Sequence, residues 1–148
     1  MPTLRNAADR AAILSRLDRL ESTATPRWGK MTPPQMLAHI ADAFRMALGD
    51  LTTRSMNIAV TKYFPVKHLI LYVLPFPKNV KTARELISRP PVSFAAELTD
   101  VRLLAERLAA SAAGQARREH PLFGRLTPGE WGTLGYKHLD HHLTQFGL

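Results

Sequence analysis

Apolar side chains recur every three or four residues along four stretches of the chain, which is the period of an amphipathic α-helix. Residues that cap helix N-termini stand at the start of each stretch, for example Asn6 and the Thr127 that precedes Pro128. Residues typical of turns follow the ends of most of these stretches. The predicted long helices are 7–21, 33–48, 93–111 (counting its cap) and 128–146.

Prolines interrupt the middle of the chain. Pro65, Pro75 and Pro77 divide an otherwise apolar segment, and a proline inside a helix removes a hydrogen bond and disturbs the preceding turn. We therefore expect one broken helix over 57–73, followed by an extended loop and a short turn over 82–87.

The expected fold is all-α, because no alternating pattern long enough for a useful strand is present. A loop with several Pro and Gly residues over 120–126 leads into the last helix. The pattern predicts an antiparallel four-helix bundle with a broken middle helix and long loops. With 148 residues, 45% of them hydrophobic, the chain can build one core, so we expect a single domain over 1–148.

Composition excludes several classes of protein. Only 22% of the residues are charged and no low-complexity tract is present, which excludes a disordered protein. The absence of cysteine excludes disulfide scaffolds, zinc ribbons, iron–sulfur proteins and enzymes with a thiol nucleophile of their own. The longest apolar run, 69–77, is shorter than the ~18 residues that a membrane span needs. The first residues also lack the apolar core of a secretory signal, so we expect a cytoplasmic protein.

The chain is basic, with a formal net charge of +8 and a pI of about 10.4. This balance favours acidic partners, such as nucleic acid, an anionic membrane surface or acidic ligands. Most of the excess lies in the basic stretch 54–89, where Glu85 is the one acidic residue. A solvated basic face is the alternative, because no nucleic-acid-binding motif accompanies the charge. The basic side chains of the stretch are Arg54, Lys62, Lys67, Lys78, Lys81, Arg84 and Arg89.

The last predicted helix carries three histidines, His138, His141 and His142. At about 100° per residue, His142 lies roughly 40° from His138 and within the apolar stripe of the helix. His141 and Lys137 fall toward the polar side. His138 and His142 can therefore share a metal ion, and His141 is the weaker candidate ligand. A pair of histidines four residues apart is also compatible with hydrogen-bonded surface groups.

His39 lies at the edge of the apolar stripe of the second predicted helix, and Asp42 follows it by one turn. An antiparallel bundle can bring His39 opposite His138 and His142. Three imidazoles on facing helices would leave positions on a metal open for water or substrate. Asp42 and Asp140 are either acceptors that orient an imidazole or solvated charges.

Two parts of the chain resemble a known family. Residues 28–39, and the ending formed by 120–124 and 136–146, resemble the DinB-like superfamily of metal-binding helical bundles, in particular a branch known only as a domain of unknown function. The resemblance covers most of the chain, and it implies a divalent metal ion (zinc, nickel or iron) held by three histidines. The positions that match the metal ligands are His39, His138 and His142, and Gln145 matches a glutamine that commonly follows the last ligand. In place of the superfamily's usual Arg-Gly after the last histidine, this chain has Leu143-Thr144.

The resemblance also implies a function. Characterised relatives include transferases that use a low-molecular-weight thiol (bacillithiol, mycothiol or glutathione) and a mycothiol-dependent isomerase. The leading expectation is a divalent-metal-binding protein that transfers such a thiol to a small electrophilic substrate. The alternatives are a metal-activated water that hydrolyses an ester or amide, a metal that only stabilises the fold, and a non-enzymatic basic protein that binds nucleic acid or an anionic surface. Because relatives often pair and 66–76 is apolar, a homodimer is also expected.

Overall fold

The computed structural model describes residues 1–54, 63, 65–78, 83–111 and 119–148, and within these residues the protein is mostly helical. The all-α prediction is confirmed at this level, whereas the antiparallel four-helix arrangement and the single domain stay predictions. Residues 57–62 and 64 of the predicted broken helix lie outside the described residues. Among the described helices, none combines the length and apolar character that crossing a membrane requires. The described α-helices are α1 (Ala7–Leu17), α2 (Pro33–Leu48), α3 (Val66–Tyr72), α4 (Phe94–Ala110) and α5 (Pro128–Gln145).

Local sequence signals set the ends of the long helices. At the start of α5, Thr127 Oγ1 accepts from the Glu130 amide at 3.2 Å, and the Glu130 carboxylate accepts from the Thr127 amide at 2.7 Å. This reciprocal pair satisfies two amides that have no partner inside the helix. α2 has its predicted bounds, and Gly49 caps its C-terminus with a φ of 87°, which a residue without a Cβ readily adopts.

α1 ends at Leu17, before the predicted end at 21. The amides of Arg19 and Leu20 bond to carbonyls three residues earlier, those of Arg16 and Leu17, at 3.1 and 3.0 Å. Leu20 is nevertheless buried. The spacing of apolar residues therefore continues past the end of the helix. This spacing reflects which side chains are buried, and a tightened turn can bury a side chain as an α-helical turn does.

α2 packs against α4, α5 and a 3₁₀ turn (Arg84–Leu86), which lies where the sequence predicts a short turn. The close approach of Leu4 and of Phe44 in α2 to α5 depends on Gly135 of α5. A Cβ added to Gly135 would lie 2.9 Å from Leu4 Cδ1 and 3.3 Å from Phe44 Cε1. This packing places the α2 residue His39 opposite the histidines of α5.

A short antiparallel hairpin, β1 (Glu119–His120) and β2 (Gly124–Arg125), begins one residue before the predicted loop over 120–126 and occupies most of it. His120 Nδ1 accepts from two amides of the turn at 3.1 and 3.3 Å, so this side chain holds the turn closed. Strands of two residues leave no alternating pattern in a sequence, which is why the pattern predicts a loop there.

Candidate metal centre

Three histidines from two helices meet between α2 and α5. His39 belongs to α2, and His138 and His142 lie one turn apart on α5. The ring centroids are 4.9 to 5.0 Å from one another. One nitrogen from each ring lies within 4.8 Å of the other two, which is close enough for the three to hold one metal ion. The structure thus brings together the three residues that the sequence points to as ligands.

The cluster is buried on most sides. His39 and His142 are 3% and 8% exposed, whereas His138 is only partly buried. His138 is therefore the most exposed residue of the cluster.

The ring of His39 is held by the backbone of the 3₁₀ turn. His39 Nδ1 lies 3.0 Å from the Leu86 carbonyl oxygen. Because a carbonyl only accepts hydrogen bonds, Nδ1 must carry the proton and donate it. In the neutral ring, Nε2 then bears a lone pair, and it lies 3.0 Å from His138 Nε2.

The ring of His142 is held by Gln145 in the same way. The Gln145 side-chain nitrogen donates to the Trp28 carbonyl at 2.6 Å, which fixes the orientation of the amide. Gln145 Oε1 therefore faces His142 Nδ1, at 2.8 Å, and accepts from it. The lone pair of a neutral His142 is then on Nε2, as it is in His39.

Burial lowers the pKa of all three imidazoles. For His142, burial and the neighbouring His39 lower the pKa to about 3, in spite of the hydrogen bond to Gln145. Burial is also the largest cause of the lowered pKa values of His39 and His138. All three rings are therefore neutral at pH 7, which is the form in which imidazole binds a metal.

A comparison with protein families agrees with the resemblance seen in the sequence. A family model described as the DinB superfamily matches residues 4–146. The chain belongs to the DinB superfamily. Proteins of the DinB superfamily often bind a metal ion. No significant match was found among curated proteins or solved structures.

In this DinB protein the two candidate acidic acceptors have other partners. Asp42 accepts from Arg45 at 2.7 Å and from Arg89 at 3.1 Å, and Asp140 is paired with Arg16. The acceptors behind His39 and His142 are instead a backbone carbonyl and an amide side chain. Neutral acceptors of this kind orient the rings without adding negative charge next to them.

His141 borders the three-histidine cluster without joining it. Its ring centroid lies 5.2 Å from that of His142. On its other sides it meets Trp28 and Phe76, each with centroids 5.9 Å away. No nitrogen of His141 belongs to the group that could share a metal ion within the described residues.

The helical period predicts that Lys137 lies on the polar side of the last helix, and this prediction is wrong. Lys137 is 8% exposed, and its Nζ donates to three backbone carbonyls around the end of α3. Burial lowers the pKa of this ammonium group. The helical period considers one helix alone, whereas the carbonyls at the end of a neighbouring helix can stabilise a buried cation.

The basic stretch 54–89 is only in part a solvated face. Lys67 forms an ion pair with Glu130 of α5 at 2.8 Å. Arg89 forms two hydrogen bonds with the buried Glu97 of α4, at 2.6 and 2.7 Å. These cations join elements of the fold, which reduces the charge that remains for a partner. The lysines of the stretch outside the described residues are Lys62 and Lys81.

Proposed function

We propose that the protein binds one divalent metal ion through His39, His138 and His142 and uses it to transfer a low-molecular-weight thiol to a small electrophilic substrate. The observation that supports this most directly is the orientation of the rings. The Nδ1–H groups of His39 and His142 point outward to fixed acceptors, so their Nε2 lone pairs are left for the cluster. Buried lone pairs that converge on one place attract a cation.

The donor set fits zinc, nickel or iron. Neutral imidazole is a good ligand for each of these ions, so geometry and supply decide among them. Three protein ligands are typical of catalytic metal sites, in which the remaining positions take water or substrate. The group of potential ligands contains three histidines and no carboxylate, so a bound ion would keep its full positive charge.

The residues of the chain prepare this site for a nucleophile supplied from outside. Leu86 and Gln145 hold two of the rings, and burial keeps all three neutral. A bound ion would lower the pKa of a coordinated thiol and stabilise the thiolate. Because the chain has no cysteine, that thiol would have to be a separate molecule.

Elemental analysis of protein purified without a histidine tag tests the metal site. We expect about one equivalent of a divalent metal per chain, removable by a strong chelator and restored by titration with zinc, nickel or iron. The metal-free protein serves as the control in every assay. Protein that neither retains a metal nor takes one up at micromolar concentration would contradict the proposal.

Assays of the metal-loaded protein with a panel of thiols and electrophiles test the reaction. We expect turnover that requires both the metal and the added thiol. Turnover of esters or amides without thiol would favour a hydrolase in which the metal activates water. If no turnover is found and affinity for nucleic acid falls steeply with salt, the non-enzymatic basic binding protein is favoured instead.

A further inference from the structure

We infer that a small organic anion with an apolar or aromatic body binds beside the three-histidine cluster, at an anion site formed by Trp28, Phe76 and Lys78. The negative group of this ligand meets Lys78, and its body lies against the two aromatic rings. The inference rests on the proposed function, because it specifies the chemical class of the thiol or electrophile on which the cluster acts.

Phe76 forms the first wall of the anion site. Its ring centroid lies 6.2 Å from that of His138, which is the member of the cluster that solvent reaches most easily. The same ring lies 5.9 Å from His141 and is itself only partly buried. A ligand that approaches His138 from solution therefore passes along an aromatic surface.

Trp28 forms the second wall, and its backbone is tied to the cluster. The Trp28 carbonyl accepts from Gln145, the residue that also holds the ring of His142. The adjacent amide, that of Arg27, donates to the Gln145 carbonyl at 2.7 Å. The Trp28 ring meets His141 edge-on at 5.9 Å, so His141 lies between the two aromatic walls.

Lys78 supplies a positive charge at the same place. Its Nζ lies 4.4 Å from the centroid of the Trp28 ring, and the side chain is exposed. The Trp28 ring in turn lies 5.9 Å from His141, which places Lys78 on the same side of the cluster as the two aromatic walls.

The charge of Lys78 is available to a ligand. All 12 acidic side chains of the chain lie in the part that the structure describes. Among those residues no carboxylate forms an ion pair with Lys78. Asp140, which precedes His141 in the chain, is paired with Arg16 instead.

These groups suit a carboxylate more than a polyanion. An ammonium over an aromatic face keeps donors free for an anion, and the ring contributes apolar contact area to the body of the ligand. A polyphosphate or a nucleic acid strand binds through several cations at once. Among the described residues, Lys78 is the cation over the Trp28 ring, whereas Lys137, whose Nζ lies 5.0 Å from the Phe76 centroid, is buried and donates to backbone carbonyls. We therefore assign the anion site to a small carboxylate.

Titration of tryptophan fluorescence with phenylacetate and with its neutral counterpart phenylacetamide tests this assignment. The unaltered purified protein is used, and the metal content of the same sample is measured. We expect phenylacetate to bind about fivefold more tightly, which is the upper range for one partly exposed charge pair. Lys78→Met should abolish this preference and Lys78→Arg should keep it. Arg19→Gln removes an exposed cation just beyond the end of α1 and, as the matched control, should leave the preference unchanged.

Equal binding of the two probes to the unaltered protein would overturn the anion site. So would a preference for phenylacetate that survives in Lys78→Met, since the carboxylate would then be bound elsewhere, for example by the metal. A Lys78-dependent preference in protein that neither retains a metal nor takes one up would uphold the anion site while contradicting the proposed function. Metal-replete protein without the preference would contradict the anion site alone.

Discussion

The Nε2 atoms of His39 and His138 lie 3.0 Å apart across the contact between α2 and α5. The Leu86 carbonyl accepts from His39 Nδ1, so His39 Nε2 bears a lone pair. At this distance the two nitrogens share either a proton carried by His138 or a cation. A metal ion at this place would therefore replace a hydrogen bond that already draws the two helices together, and His138 would carry its proton on Nδ1 instead.

His142 and His141 should respond differently to substitution. His142 contributes a nitrogen to the cluster and His141 does not, so His142→Ala should abolish stoichiometric metal binding and His141→Ala should largely retain it. Isothermal titration of the two metal-free variants with the same divalent ion measures the difference. The reverse result would show that the assigned ligand set is wrong.

His39→Ala should abolish thiol-dependent activity and also destabilise the protein. His39 is 3% exposed, and its removal leaves the Leu86 carbonyl without its donor. We expect the free energy of unfolding of the metal-free protein to fall by about 2 kcal/mol. His39→Asn is the matched variant, because its side-chain amide can replace the Nδ1–H donor, and the expected loss is about 1 kcal/mol.

Urea unfolding with and without metal separates the structural role of His39 from its role as a ligand. A metal that binds only the folded state adds its binding free energy to stability, so the unaltered protein should gain stability with metal and both His39 variants should gain much less. Metal stabilisation of His39→Asn equal to that of the unaltered protein would argue against His39 as a ligand.

The ion pair between Arg89 and Glu97 should make stability depend on pH in acid. Hydrogen bonds from Arg89 are the largest cause of the lowered pKa of Glu97. A carboxyl with a lowered pKa stabilises the folded state above its ordinary pKa of 4.5, and that contribution is lost as the pH falls through the lower value of the folded protein. Glu97→Gln should therefore cost about 3 kcal/mol at pH 7, and the difference from the unaltered protein should narrow below pH 4.5.

Urea unfolding of both proteins at a series of pH values from neutral to acid measures this difference. Protonation of the buried histidines also lowers the free energy of unfolding in acid, but it does so in both proteins. The difference in free energy between the two proteins therefore isolates the contribution of Glu97. A difference that is the same at all pH values would show that the contribution of Glu97 does not depend on its charge.

A homodimer through α3 is the expected assembly. Apolar side chains on and just after α3 are exposed to solvent: Leu69 is 43% exposed, Val73 63% and Leu74 44%. Burying them against a second copy would remove apolar area from water. Light scattering should give the mass of a dimer, and Leu69→Gln with Val73→Gln should shift it toward the monomer. A clean monomer of the unaltered protein at high concentration would contradict the expectation.

The sequence by itself determined the features that depend on neighbours along the chain. A capping pair such as Thr127 and Glu130 acts on amides within three residues, so its effect can be predicted from a short segment. His138 and His142 lie on the same side of the helix because they are about one turn apart, which also depends only on a short segment of the chain. The order and types of the residues around the histidines also sufficed for the family resemblance, which the match over residues 4–146 confirms.

Only the tertiary structure decided which groups meet between elements. The contact of His39 with His138 joins residues 99 positions apart, and the family resemblance implied the pair without its distance. The Leu86 carbonyl that accepts from His39, the Trp28 carbonyl that orients Gln145, and the burial of Lys137 against α3 could not be predicted from periodicity. The physical reason is that a helical period specifies which face is buried, whereas the partners of that face depend on how all the side chains between the helices fit together.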